Sequence, residues 1–210
     1  MGELADRAVR LSGAIGPGRP VLLGVVGEPG AGKSTLAASV VSNLVRRGCA
    51  AVLVPMDGFH LANVALAAMG RADRKGAPDT FDGAGYAALL ARLRSGAGST
   101  VWAPLYDRSI EESVAGAIAV PPETEVVVTE GNYLLVDEPP WDAVGDLLDE
   151  VWAVLVDPAV RTARLVARHV EFGKAPERAA AWVASVDEGN AELVRSTLHR
   201  ADMKVVLGST

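Results

Sequence analysis

A run of eight residues, Gly27–Ser34, has the residue types and the spacing of a phosphate-binding loop. It reads GEPGAGKS and fits the pattern G-x-x-x-x-G-K-[ST]. In such a loop the glycines let consecutive backbone N–H groups point at phosphate oxygens, while Lys33 adds a positive charge and the Ser34 hydroxyl can hold Mg²⁺. The loop therefore predicts binding of a nucleoside triphosphate. The residues that we expect to contact it are Gly27, Glu28, Pro29, Gly30, Ala31, Gly32, Lys33, Ser34 and Thr35.

Two carboxylates stand at or just beyond the ends of strand-like sequences further along the chain. Asp57 comes after the run Ala50–Pro55, and Glu130 ends the run Glu125–Glu130. Phosphoryl transfer needs a group that positions an acceptor hydroxyl and takes its proton, and Asp57 is our candidate for that role. Glu130 is a candidate ligand of Mg²⁺, either directly or through water. Two simpler interpretations stay open: Asp57 could cap the turn that follows it, and Glu130 could stabilise only the neighbouring loop.

Five strand-like runs, most of them separated by helical patterns, must position these groups. The predicted strands are Val21–Val26, Ala50–Pro55, Glu125–Glu130, Val151–Asp157 and Met203–Leu207. The predicted helices are Glu3–Ala14, Lys33–Arg47, Gly83–Ser95, Trp141–Leu148, Pro158–Phe172 and Glu177–Leu198, the last broken near Asp187–Gly189. This alternation is typical of an α/β protein with a doubly wound, mostly parallel sheet, which binds ligands beyond the carboxyl ends of its strands. Val101–Pro104 and Ala117–Val120 could form short strands or an excursion at the mouth of the site.

Composition limits the class of protein. The 210 residues are 50% hydrophobic and 22% charged, which predicts one globular domain over residues 1–210. The formal net charge of −6 argues against nucleic acid or an acidic membrane as a partner. Cys49 is the only cysteine, so an internal disulfide and a cysteine-based metal site are excluded. The amphipathic start, Leu4–Ile15, is unlike a signal peptide, and we expect a cytoplasmic protein. A homodimer stays open.

Five groups of short motifs occur in the order seen in P-loop kinases of small metabolites. They are Gly27–Thr35, Asp57-Gly58-Phe59-His60, Arg74-Lys75-Gly76 with Thr80-Phe81-Asp82, Ala103–Arg108, and Glu130-Gly131-Asn132-Tyr133. The chain thereby resembles the uridine kinase, phosphoribulokinase and bacterial pantothenate kinase group over almost its whole length. The resemblance implies a nucleoside-kinase-like three-layer α/β/α fold and MgATP as the phosphoryl donor. It also implies a hydroxyl-bearing small molecule (nucleoside, sugar or pantothenate-like) as acceptor, with Asp57 as the catalytic aspartate.

The same resemblance assigns residues to the acceptor. Tyr106 and Arg108 look like acceptor-binding residues, with His60 and Asp82 nearby, and Asn190 resembles an acceptor-site asparagine of pantothenate kinases. A guanidinium can clamp a carboxylate or orient neighbouring hydroxyls, and a tyrosine offers a ring face and a hydroxyl. The alternatives are an ordinary buried tyrosine, a surface arginine, and a histidine packed behind the loop. The low aromatic content argues against a site that stacks a base.

Three arginines fall on one face of the predicted helix Pro158–Phe172. Arg161, Arg164 and Arg168 are spaced i, i+3 and i+7, so they share a face. In the kinases that the chain resembles, an arginine-bearing segment closes over the triphosphate, and residues 158–178 would be that lid. We expect Arg161 or Arg164, together with Lys33, to neutralise charge that develops during transfer. A solvated helix face is the simpler interpretation, above all for Arg168.

A second functional class is a nucleotide-dependent switch or accessory ATPase that acts through a protein partner. Such a protein would hydrolyse ATP without any small molecule. The segment Tyr106-Asp107-Arg108 argues against it, because a switch needs no second polar pocket. The sequence therefore favours a kinase whose acceptor is open.

Overall fold

The computed structural model describes residues 2–96 and 98–208. Residues 1, 97, 209 and 210 of the predicted domain lie outside this description. The strands are β1 (Val21–Val26), β2 (Ala51–Pro55), β3 (Val101–Asp107), β4 (Glu112–Val120), β5 (Val126–Gly131), β6 (Glu150–Leu155) and β7 (Met203–Val206). The α-helices are α1 (Gly2–Ile15), α2 (Lys33–Arg46), α3 (Asn63–Ala68), α4 (Gly83–Arg94), α5 (Asp142–Leu147), α6 (Pro158–Glu171), α7 (Pro176–Trp182) and α8 (Glu188–Thr197).

A parallel sheet in the order β2-β5-β1-β6-β7 forms the centre of the molecule. Every residue of β1 and β5 is buried, which explains their continuous apolar sequences. Side chains alternate along β1: Leu22 and Val26 belong to the cluster that includes residues of α4 and α5, and Leu23 and Val25 to the cluster that includes residues of α2. The predicted doubly wound fold with helices on both faces of the sheet is therefore confirmed.

The strand order brings the predicted site residues to one edge of this sheet. β5 lies between β1 and β2, and Glu130 pairs in register with Val25 on one side and Pro55 on the other. The phosphate loop follows β1, and Asp57 follows β2. All three therefore meet at the carboxyl ends of adjacent strands, where this fold class binds ligands.

The segment after α4 forms an antiparallel hairpin, β3–β4, outside the main sheet. Its strands extend beyond the predicted Val101–Pro104 and Ala117–Val120, because pairing continues to Asp107 and Glu112. The register shifts between Ala103 and Leu105, so Pro104, which has no N–H, lies at an irregularity in the ladder. The hairpin thus carries Tyr106 toward the site.

Two helical segments differ from the prediction. The short helix α3 was not predicted, because its sequence NVALAA has no capping side chain and spans fewer than two turns. The expected helix Glu177–Leu198 has its irregularity earlier than Asp187–Gly189: a π-helical stretch, Val183–Asp187, joins α7 to α8. Helical hydrogen bonding resumes at Glu188, so glycine at 189 does not end the helix. Such π-helical turns are frequent at functional sites.

Within residues 2–96 and 98–208, no helix combines the length and the apolar character needed to cross a bilayer.

Candidate active site

The phosphate loop joins β1 to α2 with a backbone that its glycines make accessible. Gly30 and Gly32 have φ angles of +80° and +93°, in the left-handed region that favours glycine. A Cβ atom on Gly30 would also lie 2.9 Å from the carbonyl oxygen of Arg161. Glycine is therefore required both by the turn and by the close approach of α6.

Lys33 lies at the base of this loop and is 8% exposed. Its Nζ donates hydrogen bonds to the Glu28 carbonyl oxygen (3.1 Å) and to Asn132 Oδ1 (2.7 Å). Burial lowers the pKa of Lys33, and the carboxylates of Glu130 and Asp57 oppose that shift. Asn132 belongs to a motif noted in the sequence, but its bond to Lys33 was not predicted. One signal in the sequence for a role of Asn132 in the site is its position directly after Gly131 at the end of β5.

Ser34 and Glu130 lie beside each other, as the sequence predicted. The Ser34 hydroxyl donates a hydrogen bond to Glu130 Oε1 at 2.9 Å. Glu130 is 5% exposed, and burial, together with the nearby charge of Asp57, raises the pKa of its carboxyl group. A hydroxyl and a carboxylate next to a phosphate loop are the oxygen donors that Mg²⁺ prefers. The donor set therefore fits a magnesium ion shared with a nucleotide.

Asp57 lies in a 3₁₀ turn, Met56–Phe59, directly after β2. Its Oδ2 accepts a hydrogen bond from Arg108 Nη2 at 3.1 Å, across the gap between the turn and the hairpin. The hairpin packs tightly here, because a Cβ on Gly58 would lie 2.3 Å from the Pro104 carbonyl oxygen. Asp57 and Arg108 are thus held together by backbone packing as well as by charge.

A cavity of about 290 Å³ opens between this hairpin, the phosphate loop and the helices α6 to α8. Of the predicted acceptor residues it is lined by Asp57, His60, Tyr106, Arg108 and Asn190. The centres of the Tyr106 and His60 rings lie 4.5 Å apart with the ring planes tilted by 38°, and burial raises the pKa of Tyr106 to about 12. The phenol is therefore protonated at neutral pH and can donate a hydrogen bond to a ligand.

Asp82 is placed differently from our expectation. It is exposed and caps the N-terminus of α4, where its Oδ1 accepts a hydrogen bond from the Gly85 amide at 2.8 Å. It is not among the described residues that line the cavity. An aspartate three residues before a helical N–H is a common capping arrangement, and here the local bond determines its position.

The three arginines of α6 have different environments. Arg161 is 2% exposed and pairs with the carboxylates of Glu28 (3.1 Å) and Glu188, so it is not among the described cavity-lining residues. Arg168, which we had favoured least, does line the cavity. Burial and the charge of Arg108 lower the pKa of Arg168. Arg161 is enclosed because α6 packs directly on Gly30. The catalytic role that we expected for Arg161 is therefore corrected to a structural one, in which it forms buried ion pairs.

A second, smaller cavity also borders the phosphate loop. It is lined by Gly30, Gly32, Lys33, Ser34, Thr35, Arg164, Leu165 and Arg168. Four of these residues, Gly30, Lys33, Ser34 and Arg168, also line the larger cavity. The loop thus lines two cavities that share one lysine, one hydroxyl and one guanidinium.

Several residues of the larger cavity were missed by sequence reasoning. They come from the ends of α6 and α7 and from the π-helical stretch: His169, Phe172, Lys174, Trp182 and Asp187. His169 Nε2 lies 2.8 Å from Asp187 Oδ2, and Lys174 Nζ lies 4.9 Å from the centre of the Trp182 ring. Four of the ten Phe, Trp and Tyr residues of the sequence line this cavity: Phe81, Tyr106, Phe172 and Trp182.

Comparison with known proteins gives the family. The model of the phosphoribulokinase/uridine kinase family matches residues 22–210. The chain belongs to this family. An ATP-dependent kinase-like protein of Aspergillus versicolor is 40% identical over 158 residues, which cover 70% of this chain and 92% of the relative. A Schizosaccharomyces pombe protein provisionally named a uridine kinase is 33% identical over 177 residues, covering 81% and 74% of the two chains.

One solved structure is similar to this chain in both sequence and fold. It is a protein of Silicibacter sp. TM1040, provisionally named a fructose transport system kinase, with a TM-score of 0.82 and 36% identity. The match covers 94% of this chain and 98% of that one. This member of the phosphoribulokinase/uridine kinase family is therefore a P-loop small-molecule kinase, as the motifs predicted. The names of its relatives differ in substrate, so the acceptor must be argued from the site.

Proposed function

We propose that this kinase transfers the γ-phosphoryl group of MgATP to a hydroxyl of a small metabolite. The observation that supports it most directly is the meeting of two cavities at Lys33, Ser34 and Arg168. A transferase needs a nucleotide and an acceptor on opposite sides of the phosphoryl group that moves between them. The smaller cavity would hold the phosphates of the nucleotide, and the larger one would hold the acceptor.

On the nucleotide side, the loop amides and Lys33 would hold the β- and γ-phosphates. Lys33 is already oriented by Asn132 and the Glu28 carbonyl, so it needs little rearrangement to bind phosphate. Ser34 and Glu130 would hold Mg²⁺, which neutralises phosphate charge when bound. Glu28 would contribute its backbone alone, because its carboxylate is engaged by arginines.

On the acceptor side, Asp57 would orient the hydroxyl and accept its proton. As the new O–P bond forms, the bond between the γ-phosphorus and the β–γ bridging oxygen breaks, and ADP leaves with the bond electrons. In this structure Arg108 forms an ion pair with Asp57. An acceptor hydroxyl that binds Asp57 would therefore have to share the carboxylate with Arg108 or displace Arg108 from it. Tyr106, His60 and Asn190 would hold the remainder of the acceptor.

Arg168 is the arginine best placed to neutralise the transferring group, because it borders both cavities. Arg164 borders the nucleotide side alone and would contact the phosphates there. Both belong to the lid-like segment 158–178, whose closure would exclude water from the phosphoryl group. This assignment replaces the role that we expected for Arg161.

The acceptor class that we propose remains a nucleoside, a sugar or a pantothenate-like alcohol. The names of the Schizosaccharomyces pombe and Silicibacter relatives support a nucleoside and a sugar, respectively. Cytoplasmic location, the absence of a nucleic acid partner and dimerisation stay predictions from sequence.

A screen of ADP release tests this proposal. Purified protein with MgATP is assayed against nucleosides, pentoses, hexoses, pantothenate and polyols. We expect one class of alcohol to stimulate ADP release strongly over the rate without acceptor. Equal ADP release with and without every candidate would favour the nucleotide-dependent switch and would contradict a kinase of small alcohols.

A further inference from the structure

Four charged side chains form a closed ring of ion pairs between the phosphate loop and two helices. Glu28 of the loop pairs with Arg161 of α6 (3.1 Å) and with Arg195 of α8 (2.8 Å). Glu188, the first residue of α8, pairs with Arg161 and with Arg195 (3.1 Å). Acidic and basic groups therefore alternate around the ring, and each arginine bridges the same two carboxylates.

The ring makes a strong and directional contact to the loop. Arg195 donates two hydrogen bonds to the Glu28 carboxylate, from Nε to Oε1 at 3.2 Å and from Nη2 to Oε2 at 2.8 Å. Such a fork fixes orientation as well as distance. The side chain of Arg161 is 3% exposed and that of Glu28 is 18% exposed, so solvent screens this part of the ring little.

Helix α8, which the ring connects to the phosphate loop, also lines the larger cavity, where the acceptor would bind. Asn190, two residues after Glu188, lines the larger cavity, and its Nδ2 lies 3.4 Å from the Gly76 carbonyl oxygen. Asp187, one residue before Glu188, lines the same cavity. The ring therefore connects the nucleotide side of the site to the acceptor side through a few residues of α8.

We propose that Glu28 and Arg195 are positioning residues that use this ring to fix the phosphate loop against α8. The inference rests on the proposed binding of nucleotide at the loop. Neither side chain is among the described residues that line the cavities, so both would act through the loop backbone and through Asn190. Nucleotide and acceptor would thus be held in one geometry.

For the substitution Glu28→Gln, charge alone and a positioning role predict changes of opposite sign in nucleotide affinity. Glu28 is a negative charge beside an anion-binding loop, so its removal by itself should tighten the binding of phosphate. A positioning role predicts weaker binding, because the loop loses the contact that fixes it. The sign of the change in MgADP affinity for Glu28→Gln therefore separates the two explanations.

The experiment measures the dissociation constant of MgADP by calorimetry for wild type, Glu28→Gln, Arg195→Met and the double variant. We expect each single variant to bind roughly tenfold more weakly. The double variant should be no weaker than the worse single variant, since one ring is broken in all three. Glu192→Gln and Arg178→Met, exposed substitutions on α8 and α7, are charge-matched controls that should bind like wild type.

Hydrogen exchange without nucleotide gives a second measurement that does not depend on the proposed activity. Both single variants should exchange faster in the loop, residues 27–32, and in α8, residues 188–197, with other helices unchanged. Unchanged exchange in those segments, MgADP binding by Glu28→Gln as tight as wild type, or multiplying losses in the double variant would overturn the ring's role. A wild-type protein that binds MgADP but phosphorylates no alcohol would instead reject the proposed function and leave these outcomes readable.

Discussion

The active site combines two regions that are built differently. The floor consists of Lys33, Ser34, Asp57 and Glu130, each at or beside the carboxyl end of a central parallel strand. The wall consists of Tyr106, Arg108, Arg168, Trp182 and Asn190, from the hairpin and the helices α6 to α8. The floor residues lie in or directly beyond strands whose positions are fixed by backbone pairing in the sheet, whereas the wall depends on how separate elements pack. We therefore expect the floor, together with Arg168, to set the reaction and the rest of the wall to set the acceptor and its geometry.

The largest effect should come from the floor. Asp57→Asn keeps the size of the side chain but removes the base, so kcat should fall by about 10²–10⁴. The affinity for MgADP should stay within about twofold of wild type, because Asp57 lies on the acceptor side. Steady-state kinetics and calorimetry measure the two quantities. Turnover at the wild-type rate would remove Asp57 from the mechanism.

Two arginines of one helix sharpen the comparison further. Arg168→Met should lower kcat about 10²-fold with little change in thermal stability, because this guanidinium borders both cavities, where we propose that it neutralises the transferring phosphoryl group. Arg161→Met should instead cost about 1–3 kcal/mol of stability, because it removes the buried guanidinium that pairs with Glu28 and Glu188, although Arg195 still pairs with both carboxylates. That loss corresponds to a fall in Tm of roughly 2–12 °C. The reverse pattern in kinetics and melting curves would restore our first assignment.

The sequence predicted the positions of the floor residues and of Tyr106, Arg108 and Asn190 in the wall, but not those of Arg168 and Trp182. The loop Gly27–Ser34, Asp57 and Glu130 each adjoin an apolar run that could form only a buried strand, and the ends of parallel strands must meet. The wall depends on rotations of α6 and on the π-helical stretch Val183–Asp187, which periodicity does not reveal. Arg161 and Arg168 share a helix face in sequence, yet packing against Gly30 encloses one of them.

Asp82 and Trp182 show the same limit. Asp82 belongs to a motif that resembles the family's, but a local capping bond determines its position. Trp182 had no motif at all, and only the path of α7 brings it to the cavity. Asp82 and Trp182 therefore depend on local capping and on helix packing, which the residue types alone do not reveal.

The junction between floor and wall can be tested at Gly58. In Gly58→Ala the new Cβ would overlap the Pro104 carbonyl oxygen, so the hairpin must move. We expect KM for the acceptor to rise roughly 5-fold or more, while KM for ATP changes little. Gly13→Ala in α1, where a Cβ meets no atom within 4 Å, is the matched control. Equal effects on both KM values would show that the hairpin does not act on the acceptor alone.

The smallest expected effect concerns the buried carboxylate of the floor. Burial raises the pKa of Glu130, so its ionised form destabilises the folded state, and this penalty grows as the pH rises above about 4.5. In EDTA without nucleotide, Glu130→Gln should therefore melt at a higher temperature than wild type at pH 8. The difference should shrink as the pH falls to about 4.5 and below, where the carboxyl becomes protonated in the unfolded state as well as in the folded state. A variant less stable than wild type at pH 8 would contradict this sign.

Phosphorus NMR of a single reaction mixture tests the central claim most directly. With MgATP and the acceptor found by the screen, the account predicts a phosphate monoester signal that grows at the same rate as ADP. Asp57→Asn should give neither signal on that time scale. Release of inorganic phosphate in place of the ester would show that water, rather than an alcohol held at Asp57, attacks the γ-phosphorus, and it would contradict the account.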